Sequence, residues 1–269
     1  MNKTELLKII TQYSKEYHKN LNNKNFIILA KSKNNIISFN IIFNSTNYLH
    51  LTGVTTPLSA QEFFDACLNN KLTLNMFAPK YNSNIMNAKM NAIPHLVNIH
   101  KLARNIGDYN NLKPNLYTDK ILGNVGVSLG LVYPKEKKTK KYMQPNSLMS
   151  EDSRILSKKP FLPIIAILIK DIKDKKFDTI TYKSKNINID KLHFPKEITE
   201  LLTEKAMLEL KPSIKNIELK KDLPDTEKEA LSEQQPTAPA KKSIYAMAME
   251  NQKAKKQPTY NKNKNDISL

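Results

Sequence analysis

The first regular feature of the chain is an apolar stripe at helical spacing. Leu6, Ile10, Tyr13, Tyr17 and Leu21 recur every three or four residues, so they share one face of a helix. The pattern predicts an amphipathic N-terminal helix whose apolar face packs against the rest of the fold.

The spacing then changes from that of a helix to that of strands. Segments 25–31 (NFIILAK) and 35–44 (NIISFNIIFN) are rich in β-branched and aromatic residues, and a short Lys/Asn turn separates them. In the second segment Ile37, Phe39 and Ile41 alternate with other positions, as in a strand with one buried face. The two segments are predicted to form a β-hairpin.

Helical signals return after the hairpin. Ser59 and Glu62 have the spacing of a capping box, in which each side chain accepts from the other's free amide, and this predicts a helix through Cys67. Cys67 is the only cysteine, which excludes an intrachain disulfide. It lies in an apolar helical run, so we interpret it as a small core residue. A longer helix is predicted over about 84–106, with a kink or a restart at Pro94.

The second half of the body is rich in strand patterns. The third of its four predicted strands is an apolar run typical of a central strand, the fourth is predicted at a sheet edge, and a final helix follows. The predicted strands span 127–133, 142–149, 164–170 and 178–183, and the helix spans 195–210. N-terminal helices and a hairpin followed by an antiparallel sheet indicate an α+β fold.

The composition changes near residue 211, and the change suggests two regions. Residues 1–211 form the predicted domain, whereas 212–269 is rich in Pro, Gln and Lys, so we expect a disordered tail. Within the tail, 243–250 is a short apolar island of the kind that folds on a protein partner. The tail carries 11 Lys and 8 acidic residues, so +15 of the formal charge of +18 lies in 1–211.

The large positive charge points to a polyanionic partner such as RNA, DNA or an anionic membrane, with nucleic acid favoured. The competing interpretation is compositional, because an AT-rich genome also enriches Lys, Asn and Ile. No secretory signal pattern begins the sequence, and the apolar run 161–169 contains Pro163 and is about half of the ~20 residues that a spanning helix needs. We therefore expect a cytoplasmic protein without a membrane segment. No zinc spacing or cofactor fingerprint is present, so neither a metal nor a cofactor is predicted.

The segment 47–53 (NYLHLTG) contains the first candidate site residues. If it is extended after the hairpin, His50 and Thr52 point to the same side. A histidine there is suited to proton transfer near neutral pH. The alternative is a structural histidine held by hydrogen bonds.

A second candidate region surrounds a lysine-rich run at 135–141. Lys141 closes the run, and Asn146 and Ser147 follow it with neutral hydrogen-bonding groups that suit a phosphate or a sugar. The alternative is a solvated loop followed by a turn around Pro145.

Three further candidates lie in regular structure. Lys170 ends the apolar run 164–169, where a strand leaves the sheet, and Lys89 lies on the long predicted helix. Each is either a site cation or an ordinary surface lysine. Tyr182, on the last predicted strand, is either a substrate contact or part of the core.

Two stretches carry a family resemblance. Residues 48–54 (YLHLTGV) and 58–67 (LSAQEFFDAC) resemble the fourth subgroup of barnase/EndoU/colicin/RelE-like nucleases found in phages and mobile elements. That family pairs these stretches with a helix lysine, a P-x-SL strand and an apolar strand ending in Lys. Here the matching positions are Lys89, 145–148 and Lys170, and the resemblance covers about 45–183.

The resemblance implies a compact α+β nuclease, metal-independent and similar to ribonucleases or toxins. On this hypothesis His50 performs acid/base work, and Lys170 and Lys89 stabilise charge. Thr52 and Ser147 hold phosphate oxygens. Two alternatives stay open: a non-catalytic nucleic-acid-binding or host-inhibiting protein on the same scaffold, and an interaction protein that works through its tail.

Overall fold

The computed structural model describes residues 1–112, 116–134 and 142–211. The described residues belong to one compact unit. Lys141 and the segment 212–269, with its apolar island at 243–250, lie outside them, so the expectations for these residues stay predictions.

Helices and strands alternate along the first half of the chain, and strands dominate the centre. The helices are α1 (Lys3–Asn20), α2 (Asn47–Thr52), α3 (Ala60–Leu68), α4 (Ser83–Leu96), α5 (Ile99–Leu102), α6 (Ser153–Leu156), α7 (Lys196–Thr199) and α8 (Glu204–Leu210). The strands are β1 (Lys24–Ser32), β2 (Asn35–Phe43), β3 (Val54–Thr55), β4 (Ala78–Pro79), β5 (Asn105–Asp108), β6 (Lys120–Gly123), β7 (Ser128–Val132), β8 (Gln144–Met149), β9 (Leu162–Asp171) and β10 (Thr179–Lys183). Short 3₁₀ turns cover Leu74–Met76 and Ile189–Lys191.

One antiparallel sheet organises the fold. Its strands follow the order β2-β1-β9-β5-β6-β7-β8, and β10 pairs with β9 beside β5. The sheet curls until its two ends meet: Ile42 N donates to Met143 O at 2.9 Å, and Met143 N donates to Asn40 O at 2.8 Å. β3 and β4 form a separate short pair. The curl gives the sheet an inner and an outer face.

Helices α1 to α4 pack on the inner face and bury most of the core. An aromatic cluster of Tyr17, Phe43, Tyr48 and Phe64 joins them, with Tyr17 at ring-centroid distances of 4.9 to 6.4 Å from the other three. The outer face carries two smaller apolar clusters, one under α7 and α8 and one under α6. The α+β class is therefore confirmed, and the central sheet separates the inner helices from the outer ones.

Several local predictions are confirmed. Helix α1 and the β1–β2 hairpin lie where the pattern predicts them, and Ser59 and Glu62 form the predicted capping box. Cys67 is buried in the core, and its burial raises the pKa of the thiol to about 12. Strand β9 is central, as its apolar run predicts, and β10 pairs with β9 beside it.

Two helix predictions are wrong, one at its C-terminal end and one in its middle. The helix predicted over 84–106 ends at Leu96, and α5 adds one turn before the chain becomes strand β5. Ile106 pairs with Leu122 of β6, a tertiary partner that local periodicity does not show. The helix predicted over 195–210 is two helices, because Thr203 begins a new one by accepting from Ala206 N at 3.2 Å. None of the described helices has the length and hydropathy that a bilayer crossing requires.

Candidate nucleic-acid interface

The segment that contains His50 and Thr52 is helical, so the prediction that both side chains share one side is wrong. Asn44 N donates to the side chain of Asn47 at 2.8 Å, and this turn starts α2 directly after β2. Tyr48 anchors the helix, since its buried hydroxyl donates to Ile10 O at 2.7 Å. Residues two positions apart on a helix are rotated by about 200° around its axis, so the side chains of His50 and Thr52 point in different directions.

The two side chains have different surroundings. Thr52 is fully buried, and its hydroxyl donates to Leu49 O at 2.8 Å within the same helix. His50 is exposed on the last turn of α2 and has no hydrogen-bond or ion-pair partner among the described residues. His50 is therefore a surface residue.

Gly53 ends α2 and forms the floor of the candidate site. Its φ of 69° is left-handed, the conformation that favours glycine after the last helical turn. The side chain of Lys89 passes across it: a Cβ on Gly53 would lie 2.6 Å from Lys89 Cδ and 3.0 Å from Cε. Lys80 N donates to Gly53 O at 3.1 Å and holds the next segment against the same glycine.

Lys89, on α4, is half-buried and fixed by one hydrogen bond. Its Nζ donates to Leu148 O on β8 at 3.0 Å. Burial, with a smaller contribution from the nearby charge of Lys80, lowers the pKa of Lys89 to about 8. An ammonium has three donors, so two remain for a ligand. Lys89 thus contacts both Gly53, the glycine of the first motif, and β8, the strand with the P-x-SL pattern.

Tyr81 completes this cluster, and sequence reasoning missed it. The residue is 39% exposed, and its ring atom Cε2 lies 3.3 Å from the position of a Cβ on Gly53. The ammonium groups of Lys80 and Lys89 lie 5.6 and 5.7 Å from the ring centroid. The signal in the sequence that could have identified Tyr81 is the basic–aromatic pair that it forms with Lys80, directly before Asn82, the N-cap of α4. We call Gly53, Lys80, Tyr81, Lys89 and the Leu148 carbonyl the Lys89 site.

The polar candidates on β8 point away from this site. Leu148 is a core residue of the inner face, and Ser147 pairs with Gly130 on the neighbouring strand. A Cβ on Gly130 would lie 3.2 Å from that of Ser147, so the Ser147 side chain lies on the opposite face from Leu148. Asn146 donates from Nδ2 to Tyr117 O at 2.7 Å. Lys141 is outside the described residues.

Lys170 and Tyr182 lie elsewhere on the sheet. Lys170 shares the face of Leu168, and its Nζ donates to the carbonyls of Asp174 and of Lys175, the latter at 3.2 Å. It lies 5.2 Å from the Phe177 ring in the outer cluster. Tyr182 packs against the inner core, with the Arg104 guanidinium 4.2 Å from its ring centroid. The structure therefore does not bring either residue to the Lys89 site.

The described part of the chain holds no group of three or more His, Cys, Asp or Glu side chains that would bind a metal ion. His95 is exposed on α4, whereas His100 is buried on α5, so these two do not form a pair. The chemistry that the Lys89 site offers is that of cations and an aromatic ring.

Comparison with known proteins identifies a family for the chain. The family model PBECR4, described as phage-Barnase-EndoU-ColicinE5/D-RelE like nuclease4, matches residues 9–219. The chain belongs to the PBECR4 family. No curated protein and no solved structure matches it.

Membership of PBECR4 confirms the resemblance seen in the two motif stretches. The match is wider than 45–183 and takes in α1 from residue 9 onward and both outer helices α7 and α8. A nuclease family implies a nucleic-acid substrate, which agrees with the positive charge of the body. In this PBECR4 chain the motif glycine, Gly53, and the helix lysine, Lys89, are in direct contact.

Proposed function

We propose that this PBECR4 nuclease cleaves RNA without a metal ion, and that the Lys89 site is its active site. The observation that carries the proposal is the environment of Lys89. The amine is partly desolvated and oriented by Leu148 O, and it lies near a second cation, Lys80. Fixed cations in a poorly solvated site stabilise developing charge more than the same groups do in water.

Metal-free RNA cleavage needs a group that deprotonates the 2′-hydroxyl, a group that protonates the leaving oxygen and a cation for the phosphate. We assign His50 to proton transfer. It precedes Gly53 by three residues, about one helical turn, so it lies close to the glycine that Lys89 crosses.

Lys89 then holds the phosphate with its two remaining donors. With a pKa of about 8 it is mostly protonated at pH 7 and yet gives up a proton more readily than an ordinary lysine. It is therefore the best candidate for the second proton-transfer group. Thr52 supports the site by fixing the end of α2, and Lys170 is not required at the Lys89 site.

The test is incubation of purified protein with labelled RNA and single-stranded DNA in EDTA. Wild type is expected to cut RNA, and His50→Ala and Lys89→Met are expected to be inactive with thermal midpoints close to that of wild type. His95→Ala is the matched control, since His95 is also exposed and lies outside the Lys89 site. Cleavage that survives both substitutions would refute the assignment.

A non-catalytic nucleic-acid-binding protein is the second candidate, and one observation favours it. No described residue orients the ring of His50, whereas catalytic histidines are commonly held by a third group. This candidate predicts salt-sensitive RNA binding without turnover.

The phage or mobile-element origin and a toxin-like role belong to the same proposal. They rest on the family description, and expression in a bacterial host tests the toxic role. Growth arrest by wild type, relieved by Lys89→Met, would support a toxin. Normal growth of cells that contain the same amount of wild-type protein would rule out the toxin-like role.

A further inference from the structure

A small cleft adjoins the Lys89 site, and the two share Tyr81. It has a volume of about 150 Å³. Its apolar walls come from Leu6, Pro79, Tyr81 and Met86, and Lys3 and Ser83 supply polar groups. An apolar recess with a polar and cationic rim suits a flat heterocycle that is attached to an anion.

Tyr81 connects this cleft to the Lys89 site. The same ring lines the cleft and lies 5.7 Å from Lys89 Nζ. The other nearby ammonium, that of Lys80, is exposed and makes no hydrogen bond with a described residue. Lys80 is therefore free to move from the ring to a phosphate, whereas Lys89 is held at Leu148 O.

We propose that this cleft is a base pocket: it takes one unpaired nucleobase against Tyr81, so that the neighbouring phosphate reaches Lys80 and Lys89. The proposal rests on the proposed function, because it names the substrate class of the same site. That class is single-stranded nucleic acid.

The size of the cleft excludes a base pair. Sites for drug-sized ligands have volumes of roughly 300 to 1,000 Å³, and this cleft is smaller. A base in a duplex has its faces covered by stacking and its edge by its partner, so it enters such a recess only when it is unpaired. Stacking on an aromatic ring tolerates every base, since each has a π-face.

Binding of fluorescent 2′-O-methyl RNA tests the proposal, because this RNA lacks the attacking hydroxyl and stays intact. The single strand and the duplex of the same sequence are titrated in EDTA at one salt concentration. Wild type is expected to favour the single strand. Tyr81→Ala is expected to weaken single-strand binding roughly tenfold, about 1.4 kcal/mol, and to leave duplex binding unchanged.

Three further variants isolate the cleft. Tyr81→Phe keeps the ring and is expected to bind as wild type does. Ser83→Trp fills the cleft from an exposed position and is expected to weaken single-strand binding without any change at Tyr81. Tyr117→Ala removes another exposed tyrosine and is expected to have no effect. Circular dichroism melting confirms that each variant is folded.

The outcomes separate the base pocket from the nuclease proposal. Equal affinity for single strand and duplex, or full single-strand affinity in Tyr81→Ala or in Ser83→Trp, overturns the base pocket and leaves cleavage by wild type as a separate result. Absence of both binding and cleavage in wild type overturns the proposed function and the base pocket with it.

Discussion

Lys89 lies so close over Gly53 that a Cβ on the glycine would be 2.6 Å from Lys89 Cδ. The same glycine has a φ of 69°, which a residue with a side chain adopts only with strain. A glycine is thus required at position 53 for two reasons: its left-handed backbone ends α2, and the absence of a Cβ leaves room for the side chain of Lys89. This contact gives the glycine of the motif a physical function: it forms the floor under the catalytic lysine that we propose.

Gly53→Ala is expected to lower both stability and cleavage. The left-handed backbone costs about 1 to 2 kcal/mol with an alanine, and the new methyl displaces Lys89 from Leu148 O. Urea unfolding and RNA cleavage measure the two effects. Gly126→Ala is the matched control, because a Cβ there has only Asn124 Oδ1 nearby, at 3.8 Å, and we expect a change within about 0.5 kcal/mol. Full cleavage by Gly53→Ala would show that the position of Lys89 is not important.

Lys89→Met is expected to lose activity but not stability at pH 7. Burial lowers the pKa of Lys89 from 10.5 to about 8, so the charged form is disfavoured in the folded state. Between these values the unfolded chain binds more protons, and wild-type stability should rise as the pH increases from 8 towards 10.5. The methionine variant lacks this rise. Urea unfolding at several pH values measures this rise. Parallel curves of stability against pH for the two proteins would contradict the lowered pKa of Lys89.

Cleavage by wild type is expected to fall as the pH rises through about 8, because Lys89 loses the charge that holds the phosphate. The charge of Lys80 is the second cause of the lowered pKa. Lys80→Ala should therefore move this alkaline limb of kcat/KM to higher pH. Lys101→Ala removes a lysine that lies outside the Lys89 site and should leave the limb in place. If the alkaline limb of Lys80→Ala stays where it is in wild type, the charge of Lys80 does not influence the pKa of Lys89.

The sequence predicts elements whose signals are local. The alternation of Ile37, Phe39 and Ile41 identifies β2, and the Ser59–Glu62 spacing identifies the start of α3. Strands β5 and β6 were missed because each has only four residues, too few to show a period, and their pairing depends on partners such as Ile106 and Leu122.

The site was predictable only in part for the same reason. Lys89 was identified through the resemblance, but its contact with Gly53 depends on how α4 packs across the end of α2. Lys170 has an equally plausible position in the sequence, yet the alternation of β9 puts it on the outer face with Leu168. No local pattern shows which face of β9 meets the inner helices, because the curl of the sheet decides this.

Truncation after residue 211 is expected to leave RNA cleavage by the body within about twofold. The reason is electrostatic: +15 of the formal +18 lies in 1–211, and the phosphate contacts set the affinity. The comparison is made between the full chain and the truncated chain at equal salt. A large loss of cleavage, or loss of a bound host protein, would favour the alternative that the apolar island at 243–250 docks on a partner.

His100 is expected to make the protein less stable in acid. Its side chain is 5% exposed, its Nδ1 has no partner among the described residues, and it packs 6.1 Å from the Phe26 ring. Burial, with a smaller contribution from Lys101, lowers the pKa of His100 from 6.5 to about 4. The unfolded chain therefore binds a proton that the folded chain excludes, and the stability present above pH 6.5 is lost as the pH falls towards 4.

His100→Leu removes this titration and is expected to be more stable than wild type in acid. Across the window from 6.5 to 4, wild type should lose on the order of 2 kcal/mol more than the variant. Urea unfolding at a series of pH values measures the difference, and carboxylates contribute equally to both proteins. His95→Leu, at an exposed position on α4, should follow the wild-type curve. Identical pH slopes for wild type and His100→Leu would mean that His100 is protonated as easily in the folded chain as in the unfolded one.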